Sequence, residues 1–412
     1  MSNRLLAPAL SALALMFAAP AVFAQTQTVT IDNHVIRNEK GGTVTFPKIE
    51  VRNTNLSREE VLKLFSTGTS KEDGTALLKK MKAERVSIPT VHLDAKDGKG
   101  TLRDFEASGI EAGRLKKFSV AALDMAGQDK QGKPISIKSG PLLLEDGDFT
   151  SIVAAVTTGD PSNIQPRVGK LAWSGLDISV AEDGPKERTG QIRIALGKFE
   201  MDNKYEGDVF RSGTSAIRNL VIEPSKGSKM ARDMAPIGYD KLDLGMTTSG
   251  SYDPVKKTFV IDDWTISGAG AGALTLKAAM GGLDKSAFAA DRNAQLAALI
   301  GADASRLELK FDNKGLFEKV VAFVGQQQKK DAGALRKEWA AMAGQLLPAV
   351  LGGDPAALAV AGEVQKFLGD AKSLTLVATP KAGGAIKFID LANIKDPMAF
   401  SQKVKVEAAA NK

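Results

Sequence analysis

The chain has 412 residues, of which 43% are hydrophobic, 25% charged and 6% aromatic, with a formal net charge of +7, no cysteine and two histidines. That apolar fraction excludes a disordered chain, and the missing cysteines exclude a disulfide scaffold, an acylated lipoprotein and any cysteine-held metal group. Two histidines, His34 and His92, cannot build a three-histidine metal site, and a mean hydropathy of −0.11 points to a water-soluble body.

Residues 1–24 read as a secretory signal of bacterial style. Arg4 supplies the positive start, Leu5 to Val22 is apolar and alanine-rich, and Val22-Phe23-Ala24 offers small residues for cleavage before Gln25. The competing reading is an uncleaved anchor helix, because about 18 apolar residues can span a bilayer. Cleavage is favoured, since no basic stop-transfer cluster follows, and the expected location is the periplasm. No later apolar run reaches about 18 residues, so no transmembrane helix is expected after cleavage. Loss of Arg4 leaves a mild +6. Lysines and acids interleave without the basic run of a nucleic-acid tail, which reads as a solvated, mixed-charge surface, with weak attraction to an anionic membrane as the other meaning.

The stretch 28–282 is mostly strand. Apolar and polar residues alternate at Ile49 and Val51, Val86 and Ile88, Ile178 and Val180, Ile192 to Leu196, and Leu242 to Met246. A period of two with one apolar face marks antiparallel strands buried on one side. Turns are predicted at Asp97-Gly98, Asp146-Gly147, Asp183-Gly184-Pro185 and Tyr252-Asp253-Pro254. A helical hairpin interrupts the strands near 57–84: Ser57 and Glu60 form a capping box before Val61, Leu64 and Phe65, and 71–84 continue as a second helix bearing Leu77, Leu78 and Met81.

From about 284 the period changes. Residues 284–300 are predicted helical, Leu307, Leu309 and Phe311 mark a strand, and three amphipathic helices follow. Their stripes are Leu316, Phe317, Val320, Val321 and Val324; then Leu335, Trp339, Met342, Leu346 and Val350; then Val360, Ala361, Val364, Phe367 and Leu368 after an Asp354-Pro355 start. Short strands close the chain near 373–378, 385–389 and 403–408. The predicted fold is therefore α+β: a long, twisted antiparallel sheet, mostly 28–282 and 372–408, with a C-terminal cluster of amphipathic helices packed on or beside it. Three segments are expected: the signal 1–24, a mainly antiparallel β region 25–283, and a helix-rich region 284–412 that returns to strand. Echoes such as Lys170-Leu171-Ala172-Trp173 and Lys241-Leu242-Asp243-Leu244 fit either duplicated hairpins or strand monotony.

The segment Lys241 to Leu283 runs through a Tyr252-Asp253-Pro254 turn, a strand with Phe259 and Ile261, and a glycine-rich crossing at Gly268, Gly270 and Gly272 that would allow a bend or bulge. It resembles the "YDP, strand, G-x-G-x-L-x-L" units of AsmA-like proteins and related uncharacterised exported proteins of alphaproteobacteria. Phe46–Phe65 and Asp354–Pro380 are similar to theirs as well. The resemblance implies an extended, twisted sheet around an apolar inner face, in envelope proteins sometimes associated with lipids. It brings no catalytic residues.

Candidate sites are few. The G-x-G-x-G at 268–272 is followed by strand, not by the helix of a dinucleotide site, and no P-loop, G-x-S-x-G, H-E-x-x-H or EF-hand sequence occurs. His92 beside Asp94 is a His–Asp pair on a polar strand face, open to a general-base role or to that of surface neighbours. His34 lies near the mature N-terminus, where disorder is common. Glu145-Asp146-Gly147-Asp148 and Asp262-Asp263 could meet calcium or serve as turn and edge charge. Trp173, Trp264 and Trp339 read as core or sheet-face residues, with a sugar platform as the alternative. No catalytic, cofactor-binding or metal-binding residue is assigned, and no cofactor. The expected protein is a non-enzymatic periplasmic envelope protein that binds lipid or acts in outer-membrane homeostasis. The alternative is an interaction module docking a protein partner at a sheet edge, and a hydrolase is the remaining class. Phospholipid or envelope proteins are the expected partners, not nucleic acid. If the three helices fill the sheet's apolar face, the core is closed; if they do not, an apolar trough remains for lipid.

Overall fold

The computed structural model describes residues 26–412 except 38–40, 67–68, 130, 149–166, 183–189, 208, 289–291, 382–384 and 388–400. The signal segment 1–24, its cleavage site and the Asp183-Gly184-Pro185 turn lie outside the described residues. Contacts divide the chain into two compact units, one ending at Asp202 and the next beginning at Asn203. The change of period near 284 falls inside the second.

Unit 1 is a meander. Its strands are β1 (Gln27–Arg37), β2 (Thr43–Thr54), β3 (Ala83–Ala95), β4 (Gly98–Ile110), β5 (Arg114–Val120), β6 (Ala122–Gln128), β7 (Pro134–Ser139), β8 (Leu142–Asp148), β9 (Arg167–Ala181) and β10 (Gln191–Glu206), the last running just past the division. β1 pairs with β2, β2 with β3 and β3 with β4, each antiparallel. β4 then pairs with β5 along one half and with β6 along the other. β5 continues to β8 and β6 to β7, and β9 takes both before pairing with β10. Two long strands are thus each broken once, at Ala121 and at Gly140-Pro141. Proline lacks the N–H a ladder requires, which places such a break at Pro141.

Between β2 and β3 the chain makes helices α1 (Arg58–Leu64) and α2 (Lys71–Leu78). The predicted capping box is present: the Glu60 amide donates to Ser57 Oγ at 3.2 Å, and the Ser57 amide donates to the Glu60 carboxylate at 2.8 Å. Such a cap satisfies amides that an α-helix leaves without partners. The second helix ends at Leu78, short of the predicted 84, because Ala83 already begins β3. Together the helices lay Leu56, Val61, Leu64, Phe65, Leu78 and Met81 on Ile31, Phe46, Ile49, Val51 and Val86, none of them more than 7% exposed. Phe65 meets Phe46 edge to face at 5.5 Å. This is a closed core.

Unit 2 holds β11 (Val209–Pro224), β12 (Leu242–Asp253), β13 (Thr258–Gly268), β14 (Gly272–Gly281), β15 (Asp303–Asn313), β16 (Ser373–Pro380), β17 (Ile386–Lys387) and β18 (Val404–Ala410). The order is β11-β12-β13-β14-β15-β16-β18, all antiparallel, with β17 beside one end of β15. Its helices are α3 (Lys229–Met234), α4 (Arg292–Gly301), α5 (Leu316–Gln328), α6 (Ala332–Val350) and α7 (Pro355–Gly369), with 3-10 turns at Ala235–Ile237 and Lys285–Phe288. Asp354 caps α7 through the Ala357 amide at 2.8 Å, with Pro355 next, as predicted.

Antiparallel sheet is shown, and so are helices toward the C-terminus. The α+β balance is corrected: the fold is mostly β, with strand more than twice as abundant as helix. The sequence periods of 284–370 overstate the helices because these are few beside the long strands. One predicted turn also resolves differently. Asp146-Gly147 lies inside β8, which runs to Asp148, and Asp146 there takes a φ of 52°, a left-handed conformation that aspartate tolerates. The glycine-rich crossing from Gly268 to Gly272 is a hairpin connection between β13 and β14: Gly268 and Gly272 face each other, and Gly270 takes a φ of 65°. At Gly272, φ is 126° and a Cβ would sit 2.0 Å from the Asp312 carbonyl oxygen, so only glycine allows β15 this close.

Candidate functional site

Residues directly opposed across an antiparallel ladder share a face. In unit 2 that rule assembles two apolar rows. Met246, Ile266, Leu274, Phe311 and Leu374 are opposed across β12 to β16, and Thr248, Trp264, Leu276, Leu309 and Leu376 lie beside them. A further row holds Ile261, Ala278, Leu307 and Ala378. Between Ile261 and Trp264 strand β13 carries one extra residue against both neighbours, a bulge that keeps Phe259 and Ile261 on the apolar face despite the odd spacing. The opposite face is polar: Thr265 and Thr275 hydroxyls meet at 2.8 Å, Lys310 pairs with Asp312 at 2.9 Å, and Arg306 with Glu308 at 2.7 Å.

Both ends of the apolar face are covered. At one end Phe367 of α7 stands against Phe311 at 6.0 Å between ring centroids, and Phe317 of α5 packs on Phe367 at 5.5 Å. The Lys319 ammonium of α5 sits 3.4 Å from the Tyr239 ring centre, and the Tyr239 hydroxyl donates to the Gly270 carbonyl at 3.1 Å. At the other end Phe288 packs on Tyr252 at 4.6 Å, Phe259 at 5.6 Å and Phe210 at 5.4 Å. There the buried Tyr252 hydroxyl donates to the Leu283 carbonyl at 3.0 Å, and burial raises its pKa.

The middle is open. Ile266, Leu274 and Leu309 are 38%, 37% and 39% exposed, and Trp264, Leu276 and Leu376 beside them are half-buried. From β13 to β15 this band is about 10 Å across. The helices that could have filled it pack elsewhere, α7 on β18 and α6 on α7. The predicted α6 stripe is buried only at Leu335; Met342, Leu346 and Val350 face solvent. The arrangement offers van der Waals contact and the release of water to an apolar ligand, and no side chain in the band is ionisable.

The sequence-predicted polar candidates are scattered. His92 is exposed on β3, in a cross-strand row with Thr45, Thr101 and Asp124, and it lines an open hollow of about 680 Å³. Asp94 lines the same hollow but pairs with Lys99 at 3.3 Å. His34 is in β1, where Nε2 lies 2.6 Å from the Phe65 carbonyl, so it ties the strand to the end of α1. Glu145 pairs with Lys170 at 3.6 Å, and Asp146 with Arg167 at 3.8 Å. Asp263 accepts from Thr247 and Thr265, and Asp262 is exposed at the bulge. Asp253 accepts the Lys256 and Val255 amides, bonds that hold its carboxyl below the usual range and close the predicted Tyr252-Asp253-Pro254 turn. Trp173 donates to Ser139 Oγ at 2.7 Å, and Trp339 meets Phe317 edge to face. Among the described residues, no group of three or more His, Asp or Glu is arranged to hold a metal ion.

The open band was the feature sequence reading left undecided. Alternation marks one apolar face, but only the cross-strand register shows which of its residues lie side by side. A family described as "Uncharacterized protein" matches residues 265–411, from within β13 past the end of β18, and so takes in β14, β15 and the helices that flank the band. No curated protein matches the chain.

Proposed function

We propose that this is a non-enzymatic, exported envelope protein, AsmA-like in its sheet, whose unit 2 face holds the acyl chain of a phospholipid. One observation carries the reading: an apolar band across β13 to β15 stays open between two aromatic closures. Each methylene it removes from water contributes about 0.8 kcal/mol, so binding grows with the length of acyl chain laid along Leu274, Leu276 and Leu309. Docking of a partner at a sheet edge has less support. At the β18 edge the Ala410 amide already donates to Glu363 at 2.8 Å, and the charged pair Lys405–Glu407 flanks that edge.

The test is the lipid content of the mature chain, residues 25–412, purified from a bacterial periplasm without detergent. Organic extraction should recover near-stoichiometric phospholipid over a mock-purified control, and Leu274→Asp should lose most of it while keeping its fold. Phospholipid at the control level in the unaltered protein would sink the reading.

A further inference from the structure

One end of the open band in unit 2 carries a positive charge. Between β11 and β12 the chain passes through Gly238 and Tyr239, and the Tyr239 hydroxyl donates to the Gly270 carbonyl in the β13–β14 hairpin. The Lys319 ammonium of α5 stands over that ring, 3.4 Å from its centre, and donates to the Gly238 carbonyl at 2.8 Å. Helix α5 is tied to the same hairpin, because the Leu316 amide donates to the Ala271 carbonyl. Phe317 and Lys319 are two residues apart and so look to opposite sides of α5, one toward Phe367 and the other toward Tyr239. Gly268 and Gly272 face each other across the hairpin, and the next opposed pair on that face is Ile266 and Leu274, about 7 Å further along the strands. Those two residues are open. A chain laid along Leu276 and Leu274 therefore leads toward the hairpin and the ammonium beside it.

That ammonium is half-buried and has no counter-charge. Among the described residues it makes no ion pair, either with Asp240 next to Tyr239 or with Glu318, whose carboxylate is engaged by Asn313 at 2.7 Å and Arg336 at 3.1 Å. Tyr239 does not supply one, since burial raises its pKa and keeps the phenol neutral. Lys314, whose amide also donates to Ala271, adds a second positive charge at this hairpin. The far end of the band differs. There Arg211 pairs with Glu206 at 3.0 Å, Lys256 with Asp253 at 3.8 Å, and Lys257 and Lys285 lie near the Asp284 carboxylate. A partly buried cation without a partner is costly, and an ammonium has three N–H groups of which the Gly238 carbonyl takes one. An acyl chain headed by an oxyanion matches both the band and its charged end.

We propose that the lipid held in the unit 2 band is a net-anionic phospholipid, with a phosphate oxygen on the Lys319 ammonium and an acyl chain on Leu274 and Leu276. The inference rests on acyl-chain binding in the band and adds the headgroup class. A zwitterionic lipid carries the same phosphate but brings its own ammonium beside Lys319 and Lys314, where like charges repel.

The mature full-length chain, incubated with vesicles of equal phosphatidylglycerol and phosphatidylethanolamine, repurified and extracted, tests it. Bound phosphatidylglycerol should exceed phosphatidylethanolamine by about five-fold, the scale of one partly exposed charge pair. Lys319→Gln should return the ratio to that of the vesicles, with total bound lipid and urea midpoint near the parent's. Lys319→Arg should keep the preference, and so should Tyr239→Phe, which loses the bond to Gly270 but not the ring under the ammonium. Lipid bound without preference, or a preference that survives Lys319→Gln, overturns the headgroup assignment and leaves acyl-chain binding standing. No lipid in the parent overturns both. Glycerol 3-phosphate at millimolar concentration should not displace the lipid; displacement would make a free phosphate the ligand and overturn the assignment too.

Discussion

The two units solve the same problem in opposite ways. Each has a one-sided antiparallel meander with an apolar face to cover. Unit 1 covers its face with two helices of seven and eight residues, and Phe46, Ile49, Leu56, Val61 and Leu78 are left essentially inaccessible. Unit 2 has helices of 13, 19 and 15 residues available, yet Ile266, Leu274 and Leu309 stay more than a third exposed. The amount of helix does not decide whether a sheet is closed; where the helices dock does. In unit 1 the hairpin is inserted between adjacent strands β2 and β3 and folds straight back. In unit 2 the three helices sit between β15 and β16, and α7 leans on β18.

That contrast can be broken by substitution. The largest effect is expected at Phe46→Ala, which empties a site 1% exposed and loses the ring contact to Phe65. It should lower unfolding free energy by about 3–5 kcal/mol in urea titration. A cost near that of a surface change would mean the unit 1 core is not closed. Ser57→Ala removes the cap on α1, and about 1 kcal/mol is expected from the same titration. Leu309→Ala, on the open band, should cost about 1 kcal/mol, well below Phe46→Ala, because 39% of its surface is already exposed. A cost as large as that of Phe46→Ala would show the band to be filled.

The smallest effect is one of pH. Burial of Glu60 opposes its charge, but the Lys80 ammonium and the Ser57 amide outweigh it and hold the carboxyl below the usual glutamate range. A carboxyl depressed by folding stabilises the native state fully above its unfolded value, and that stabilisation is lost as pH falls through the folded value. Glu60→Gln should therefore differ most from the parent at neutral pH. The gap between their urea midpoints should narrow as pH drops below the ordinary 4.5. A gap that stays constant down to acid pH would show that the α1 cap does not depend on the Glu60 charge.

Much of the fold was legible in particular residues. The alternation around Ile49, Ile178, Ile192 and Leu242 falls in β2, β9, β10 and β12, and the starts at Ser57 and Asp354 are both occupied caps. Local chemistry specifies such features, so one sequence suffices. What escaped depends on partners distant in the chain. Met342, Leu346 and Val350 share a face by period alone, but period does not say whether anything stands opposite. Gly272 looked like sheet punctuation, and only the approach of Asp312 shows why it is glycine. The division at Asp202 is invisible because strand continues on both sides of it. For the candidate site, the apolar residues could be named in advance, whereas their adjacency across five strands could not.

Trp264 has a use that follows from its place in the second apolar row. The chain has three tryptophans: Trp173 is in unit 1, bonded to Ser139, and Trp339 is on α6 against Phe317. Trp264 alone borders the open band, between Thr248 and Leu276. Its indole therefore changes from partly wet to dry when the band is occupied. With Trp173 and Trp339 replaced by phenylalanine, the remaining ultraviolet emission would report occupancy directly, giving the molecule an optical gauge that needs no attached label.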